Sequence, residues 1–291
     1  MATLRDILRK ITAVKKTRQI TKAMNMVAAS RLRSVQGKME SFEPYASKFH
    51  EVLQNLSSRL DEDIHPLLVQ KEEVRRVELL HFTADRGLCG SFNVNSINRA
   101  VSWIDGQVKS GRDVSITTVG IKGRDYFTRR DYRVTDSYTH IYGHTDISFV
   151  NQMAYGFINR FLNDEIDELH MLYTRFEGMS RQENRVVKLI PIEPPKEEEG
   201  AEAGMASEYL CEPSPSKLLM ELLPKHISVQ LFNAFLQNET CEHAARMAAM
   251  DKASKNCNEL IENLTLVYNK ARQAAITAEL MDIVCGAEAL K

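Results

Sequence analysis

The residues best placed to do chemistry are Ala84-Asp85-Arg86-Gly87-Leu88-Cys89-Gly90-Ser91, directly after a short apolar run. A glycine-bearing loop at the end of a strand is where backbone N–H groups can cradle a phosphate. This loop has two glycines three apart and fits neither GxGxxG nor the GxxxxGK pattern of a phosphate loop. No acidic residue follows a second strand at the spacing that would hold a ribose, so the signal for a bound nucleotide is weak. His140 and His144 are four apart, but Gly143 between them argues against a helical metal face and for ordinary loop histidines. GxSxG and HExxH are both missing. The five cysteines, Cys89, Cys211, Cys241, Cys257 and Cys285, form no CxxC, which suits buried thiols in a reduced, cytoplasmic protein. Neither a cofactor nor a metal is expected, nor any chemistry by this chain alone.

The elements around that loop read as a small α/β domain. Nine of the 13 glycines fall between Gly87 and Gly178, and residues 67–190 hold no proline. Strands are predicted at Val77–Thr83, Val114–Gly120, Tyr132–Ile141, Met171–Phe176 and Val186–Ile190. Helical patterns fit between them at Asn95–Lys109, Lys122–Arg130 and Ile147–Asn163. Alternation of this kind predicts a Rossmann-like domain over 75–190 with a mainly parallel sheet. Residues 191–213, acidic and proline-rich, read as an exposed loop whose inner part, 196–204, belongs to no motif.

The termini are of another kind. Lys225 to Cys285 runs 61 residues without glycine or proline. Its apolar residues Met250, Ala253, Cys257, Leu260, Leu264, Val267, Ala271, Ala274, Ala278, Met281 and Cys285 alternate at spacings of three and four. That is the seam of a left-handed coiled coil, on a helix that would be roughly 90 Å long at ~1.5 Å per residue. At the other end a matching template runs through Leu4, Ile7, Ile11, Val14, Ala28, Leu32, Val35, Met39 and Phe42. It meets Arg18, Thr21 and Asn25 in the middle, where the apolar residues shift to Ile20, Met24 and Val27 as at a stutter. Pro44 is expected to kink or interrupt this helix, which occupies 1–65. A helix that leaves and one that returns, over 214–291, must pair antiparallel. The small residues of the last turns predict a slender tip projecting beyond the N-terminus.

Net charge is −1, but the first forty residues carry ten basic side chains against only Asp6 and Glu40. Such a helix could lie on an anionic membrane, bind nucleic acid or face an acidic protein, although no aromatic residue precedes Phe42. No apolar run approaches 18 residues, so no membrane span is predicted, and the opening residues lack the uncharged core of a secretion signal.

Three segments resemble one family. Ile20-Thr21-Lys22-Ala23-Met24-Asn25-Met26-Val27-Ala28-Ala29-Ser30-Arg31-Leu32-Arg33 looks like the N-terminal signature of the gamma subunit of F-type ATP synthase, bacterial type. Thr83 to Asn93 is similar to the loop after that family's first strand, with Asp85, Arg86, Gly87 and Gly90 as its signature residues. Tyr268 to Leu280 resembles its C-terminal signature. The resemblance extends over essentially the whole chain.

It implies a central rotor shaft that couples ion flow through a membrane ring to the conformational cycling of catalytic beta subunits, and that regulates ATP hydrolysis. It also implies the partners: a ring of three alpha and three beta subunits, an epsilon subunit and a ring of c subunits, with one copy of this chain. The location would be peripheral, on the cytoplasmic face of the inner membrane. Lys22, Met24, Arg272, Gln273, Thr277 and Glu279 are implied as contacts to the alpha and beta subunits, and Leu280, Ile283, Val284 and Leu290 as an apolar bearing tip. The cysteine-pair loop of chloroplast members has no counterpart here. Two other readings remain: an α/β enzyme with coiled-coil arms, which predicts nucleotide binding, and a basic adaptor, which predicts salt-dependent binding to lipid or DNA.

Overall fold

The computed structural model describes residues 3–57, 65–143, 145–179, 181–192 and 215–288. They fall into two compact units, 1–30 with 246–291, and 31–245. Among the described residues ten elements follow one another: α1 (Leu4–Ser57), β1 (Arg76–Phe82), α2 (Phe92–Lys109), β2 (Asp113–Val119), α3 (Ile121–Thr128), β3 (Val134–Tyr138), α4 (Ile147–Leu162), β4 (Glu168–Phe176), β5 (Gln182–Ile190) and α5 (Pro215–Glu288).

In the larger unit the sheet order is β3-β2-β1-β4-β5. The first four strands are parallel, and β5 runs antiparallel to β4. Side chains on β1 alternate between two cores, as a pleated strand requires. Leu79 joins Ala100 and Ile104 of α2 and Phe127 of α3. Leu80 and Phe82 join Phe157 and Phe161 of α4, Leu53 of α1, and Leu223, Leu231 and Phe235 of α5. Each such side chain fully removed from water contributes about 1.5–3 kcal/mol. Local sequence supports the helix starts: Thr3 and Asp6 bond each other's backbone N–H at the start of α1, and Asp146 caps α4 by accepting from the Phe149 N–H at 2.7 Å. Asp167 ties the entry of β1 to that of β4. Burial would raise its pKa, but bonds from the Arg76 side chain, the Arg75 and Arg76 N–H groups and Lys71 hold it well below the usual carboxylate range.

One charged pair crosses this core. Glu78 is fully buried, and its Oε1 accepts from Arg160 Nη1 of α4 at 2.9 Å and from Thr117 Oγ1 at 2.6 Å. Burial raises its pKa, against the opposing pull of Thr117 and Arg160.

All five predicted strands are present, with β4 and β5 reaching three and four residues further back than their apolar runs. The extra residues of β5 are polar ones that still pair with β4, and those of β4 pair with β1, with Leu169 and His170 also facing β5. The helices depart more. An interruption at Pro44 does not occur, since α1 is continuous across it. Proline removes one N–H and costs about 3 kcal/mol in a helix interior. Here Pro44 is exposed while Phe42, two residues before it, packs edge-on against Phe232 with centroids 4.8 Å apart. Likewise α5 begins at Pro215 and runs through Pro224, ahead of the proline-free stretch. Residues 193–214, with nearly all of the acidic segment, lie outside the described residues.

Candidate functional site: the paired helices and the glycine loop

Within the smaller unit α1 and α5 run antiparallel. Arg18 Nη1 donates to Asn258 Oδ1 at 2.9 Å, and seven residues later Asn25 Nδ2 donates to the carbonyl of Met247 at 2.8 Å. Moving up one helix is moving down the other. On α1 Leu4, Ile7, Ile11, Val14, Arg18, Thr21, Asn25 and Ala28 are all buried or half-buried, with Met24 half-buried beside Asn25. This is the 3,4 template without interruption, so the expected stutter is absent. Thr21 is only 9% exposed, whereas Ile20 is 60% and Val27 55% exposed. The polar residues hold the seam because each finds a partner, Thr21 Oγ1 donating to the Arg18 carbonyl at 3.0 Å. A satisfied polar group at one seam position costs little and fixes register.

A second correction concerns α5. Its inward residues past Cys257 are Ile261, Leu264, Tyr268, Ala271 and Ala275, while Leu260, Val267 and Ala274 are exposed. Three of the expected seam positions therefore move by one residue, and the larger Tyr268 side chain replaces Val267 at the pairing line. Beyond Ala275 every described side chain is exposed, so Ala278, Met281 and Cys285 line no seam. Residues 276–288 form a single unpaired helix about 20 Å long at ~1.5 Å per residue.

On this frame Lys22, Arg272, Gln273, Thr277 and Glu279 are exposed and Met24 is half-buried. Lys22 sits with Arg18, Gln19, Asn25 and Met26 along a groove whose other wall is Asp251, Ser254 and Asn258. Thr277 Oγ1 donates back to the Gln273 carbonyl at 2.9 Å. Leu280, Ile283 and Val284 are exposed on the unpaired end, Ile283 at 69%. Leu290 lies outside the described residues. Sequence reasoning gave Arg18, Thr21 and Asn25 no structural role, although their polarity at seam spacing was the available signal; Asn258 lies off the seam spacing and offered none.

The glycine loop sits in the larger unit and acts as a brace. Asp85 Oδ1 accepts from the Ile121 N–H at the start of α3, and Oδ2 from the His140 N–H after β3, each at 3.1 Å. Asn93 accepts from the Ala84 N–H at 2.9 Å, and its own amide points at Cys89 Sγ. Gly90 has φ +60, and Gly87 lies close to Lys122, whose Cε would be 3.9 Å from an added Cβ. Arg86 offers its carbonyl to the Cys89 thiol at 3.8 Å. Opposite, Gly120 has φ +96, and a Cβ there would lie 2.2 Å from the Thr83 carbonyl oxygen.

Strand order reverses between β1 and β4, the place where open α/β sheets bind ligands. Here α5 fills it. Asn238 Nδ2 donates to the Tyr142 hydroxyl at 2.9 Å, that hydroxyl donates to the Thr83 carbonyl at 2.8 Å, and Gln237 accepts from the Phe176 N–H at 2.8 Å. Burial raises the Tyr142 pKa well above its usual value, which keeps the hydroxyl a donor. His81 is also buried, which lowers its pKa to about 3, so it is neutral against Ser96. Cys89 and Cys241 are buried, Cys257 half-buried and Cys285 exposed; Cys211 and His144 lie outside the described residues. Among the described residues no helix is long and apolar enough to cross a membrane.

The chain matches the ATP synthase family over residues 3–290. It is similar to the ATP synthase gamma chain of Syntrophobacter fumaroxidans, with 50% identity over 292 residues and 100% of both chains covered. With that of Desulfosudis oleivorans the identity is 48% over 300 residues, again covering 100% of both. Among solved structures it resembles a chain of the Euglena gracilis mitochondrial ATP synthase OSCP/F1/c-ring in rotational state 3, with a TM-score of 0.69 at 20% identity, covering 99% of this chain and 94% of that one. A chain of the rotor of the same organism's enzyme, in rotational state 1, gives 0.63 at 19% identity over 94% and 98%.

Proposed function

Since the chain belongs to the ATP synthase gamma chain family, we propose that its paired helices are the central rotor shaft of an F-type ATP synthase. The shaft couples ion flow through a ring of c subunits to conformational cycling of the catalytic beta subunits, for ATP synthesis and for its reversal. The chain is a non-catalytic subunit. One copy stands within a ring of three alpha and three beta subunits and beside an epsilon subunit. The observation that carries this reading is 50% identity to a gamma chain along the full length of both.

The physics of the shaft follows from its exposed residues. A ligand shifts an equilibrium only by its differential affinity for the two states. Each rotor angle must therefore touch each beta subunit differently, without adhering to any one. Exposed polar side chains suit this, because a solvated ion pair is worth about 0–1 kcal/mol and exchanges readily. Lys22, Arg272, Gln273, Thr277 and Glu279 are of this kind, and together with Met24 we assign them to the alpha and beta contacts. Leu280, Ile283 and Val284, with Leu290 beyond, form the bearing tip, where apolar contact with a collar slides because it is non-directional.

The complex is membrane-bound, and this subunit joins it as a peripheral part, which we place on the cytoplasmic face of the inner membrane. The test is the native mass and composition of the complex purified with tagged chain from its host's membranes in mild detergent. One copy with three alpha, three beta and a c ring is expected. A free chain or a homo-oligomer refutes the reading.

A further inference from the structure

The smaller unit contains two seams and uses one. Between Val14 and Ala28, α1 turns Arg18, Thr21 and Asn25 toward α5, and leaves Ile20 and Val27 in solvent. Ile20, Met24 and Val27 have the spacing of a seam, displaced by one residue from Thr21, Asn25 and Ala28. On α5 the residues opposite that second seam are apolar too. By the register of the two cross-helix bonds these are Met247, Met250 and Ala253, of which Met250 is buried and the other two half-buried. The seam in use is the more polar of the two.

We propose that the α1–α5 pair has a second helical phase, in which residues 18–27 of α1 turn about their own axis and bury Ile20, Met24 and Val27 against Met247, Met250 and Ala253. One residue of a helix is about 100° of rotation. The bonds from Arg18 to Asn258 and from Asn25 to the Met247 carbonyl are made only in the observed phase, and they lock it. Ile7 and Ile11 before the segment and Leu32 after it are buried, so the turn is local and is absorbed by unwinding of α1 at one end and overwinding at the other. The groove lined by Arg18, Gln19, Lys22, Asn25, Met26, Asp251, Ser254 and Asn258 gives the turning side chains room. Two packings of similar free energy make the pair bistable, and whatever twists the stalk selects between them.

Maleimide labelling of the full chain reads the two phases, in a background with Cys211, Cys257 and Cys285 replaced. One reporter is Val27→Cys, exposed in the observed phase and buried in the other; Thr21→Cys is the reverse. With the lock intact, Val27→Cys labels fast and Thr21→Cys slowly. Removing the lock by Arg18→Ala with Asn25→Ala should slow the first and speed the second, the ratio of the two rates changing by about tenfold, the shift that losing one or two hydrogen bonds gives a two-state equilibrium. Adding Ile20→Gln and Met24→Gln should abolish that reciprocal change. Unaltered rates overturn the proposal, and so does acceleration of both reporters, which means the helices separate. Should the double change lower helix content by circular dichroism, Asn25→Ala alone carries the test. The same opposite-signed shift at smaller amplitude supports the second phase, and any other result refutes it.

Discussion

Replacing Arg160 by methionine should be among the most damaging single changes to the larger unit. Glu78 is fully buried, and Arg160 itself is 20% exposed, so little water reaches the pair. Removing one partner of a buried ion pair costs about 3–5 kcal/mol, because the remaining charge is left in a poorly solvating place. Glu78 Oε2 already has no hydrogen-bond partner, and without Arg160 only Thr117 would remain on Oε1. Asp136 and Glu165, the other acidic neighbours of Arg160, are more than half exposed and lose little. The pH dependence has a definite sign. The Glu78 pKa is already raised in the folded state, and losing Arg160 raises it further. A carboxyl raised on folding binds its proton more tightly in the native state, so stability increases as pH falls through the folded pKa toward the unfolded 4.5. Urea unfolding followed by Trp103, the single tryptophan of the chain, measures this unit directly. Arg160→Met should lose about 3–5 kcal/mol at pH 7.5 and regain part of it near pH 5.5. Adding Glu78→Leu should recover most of the loss, since apolar replacement of a whole buried pair is often neutral or stabilising. A loss below about 1 kcal/mol, the size of a surface pair, or a double variant no better than the single one, would refute the reasoning.

Gly120→Ala should cost more than about 2 kcal/mol by the same assay, from the strain of a positive φ and the clash with the Thr83 carbonyl. Asp85→Ala removes the acceptor of two backbone N–H groups, and hydrogen exchange at Ile121 and His140 should quicken for a loss of about 1–3 kcal/mol. Glu168, lowered to about 2 by its bond to His170 and by Lys188, contributes stability present above pH 4.5 and lost as pH falls toward 2. Glu168→Gln should flatten that acid limb in urea titrations at successive pH values. In the assembled complex, Arg272→Ala should lower ATP synthesis by up to about fivefold, the equivalent of one exchanged polar contact of about 1 kcal/mol, with composition unchanged on native mass measurement.

Much of the fold follows from pattern. The alternation of short apolar runs with helical stretches is local, and all five strands and three inner helices lie within a few residues of those runs. The direction of β5 is not local, because a strand pairs either way and only its neighbour β4 decides. The brace role of Asp85 was hidden for the same reason: its partners are Ile121 and His140, far along the chain. Glu78 reads as an ordinary charged residue until Arg160 stands beside it.

The long helices divide the two kinds of information most clearly. Spacing of three and four, with glycine and proline nearly absent, dictates that the terminal segments are helices with a stripe to bury, because that periodicity is a property of the helix itself. The sequence of α1 offers two such stripes one residue apart, and apolarity favours the one with Ile20, Met24 and Val27. Tertiary structure chose the other. The deciding groups are an amide on α5 and a main-chain carbonyl, at Asn258 and Met247, which become acceptors for Arg18 and Asn25 only once the helices lie side by side. A main-chain carbonyl carries no signature in the sequence, so the phase of the pair could be settled only by its assembly.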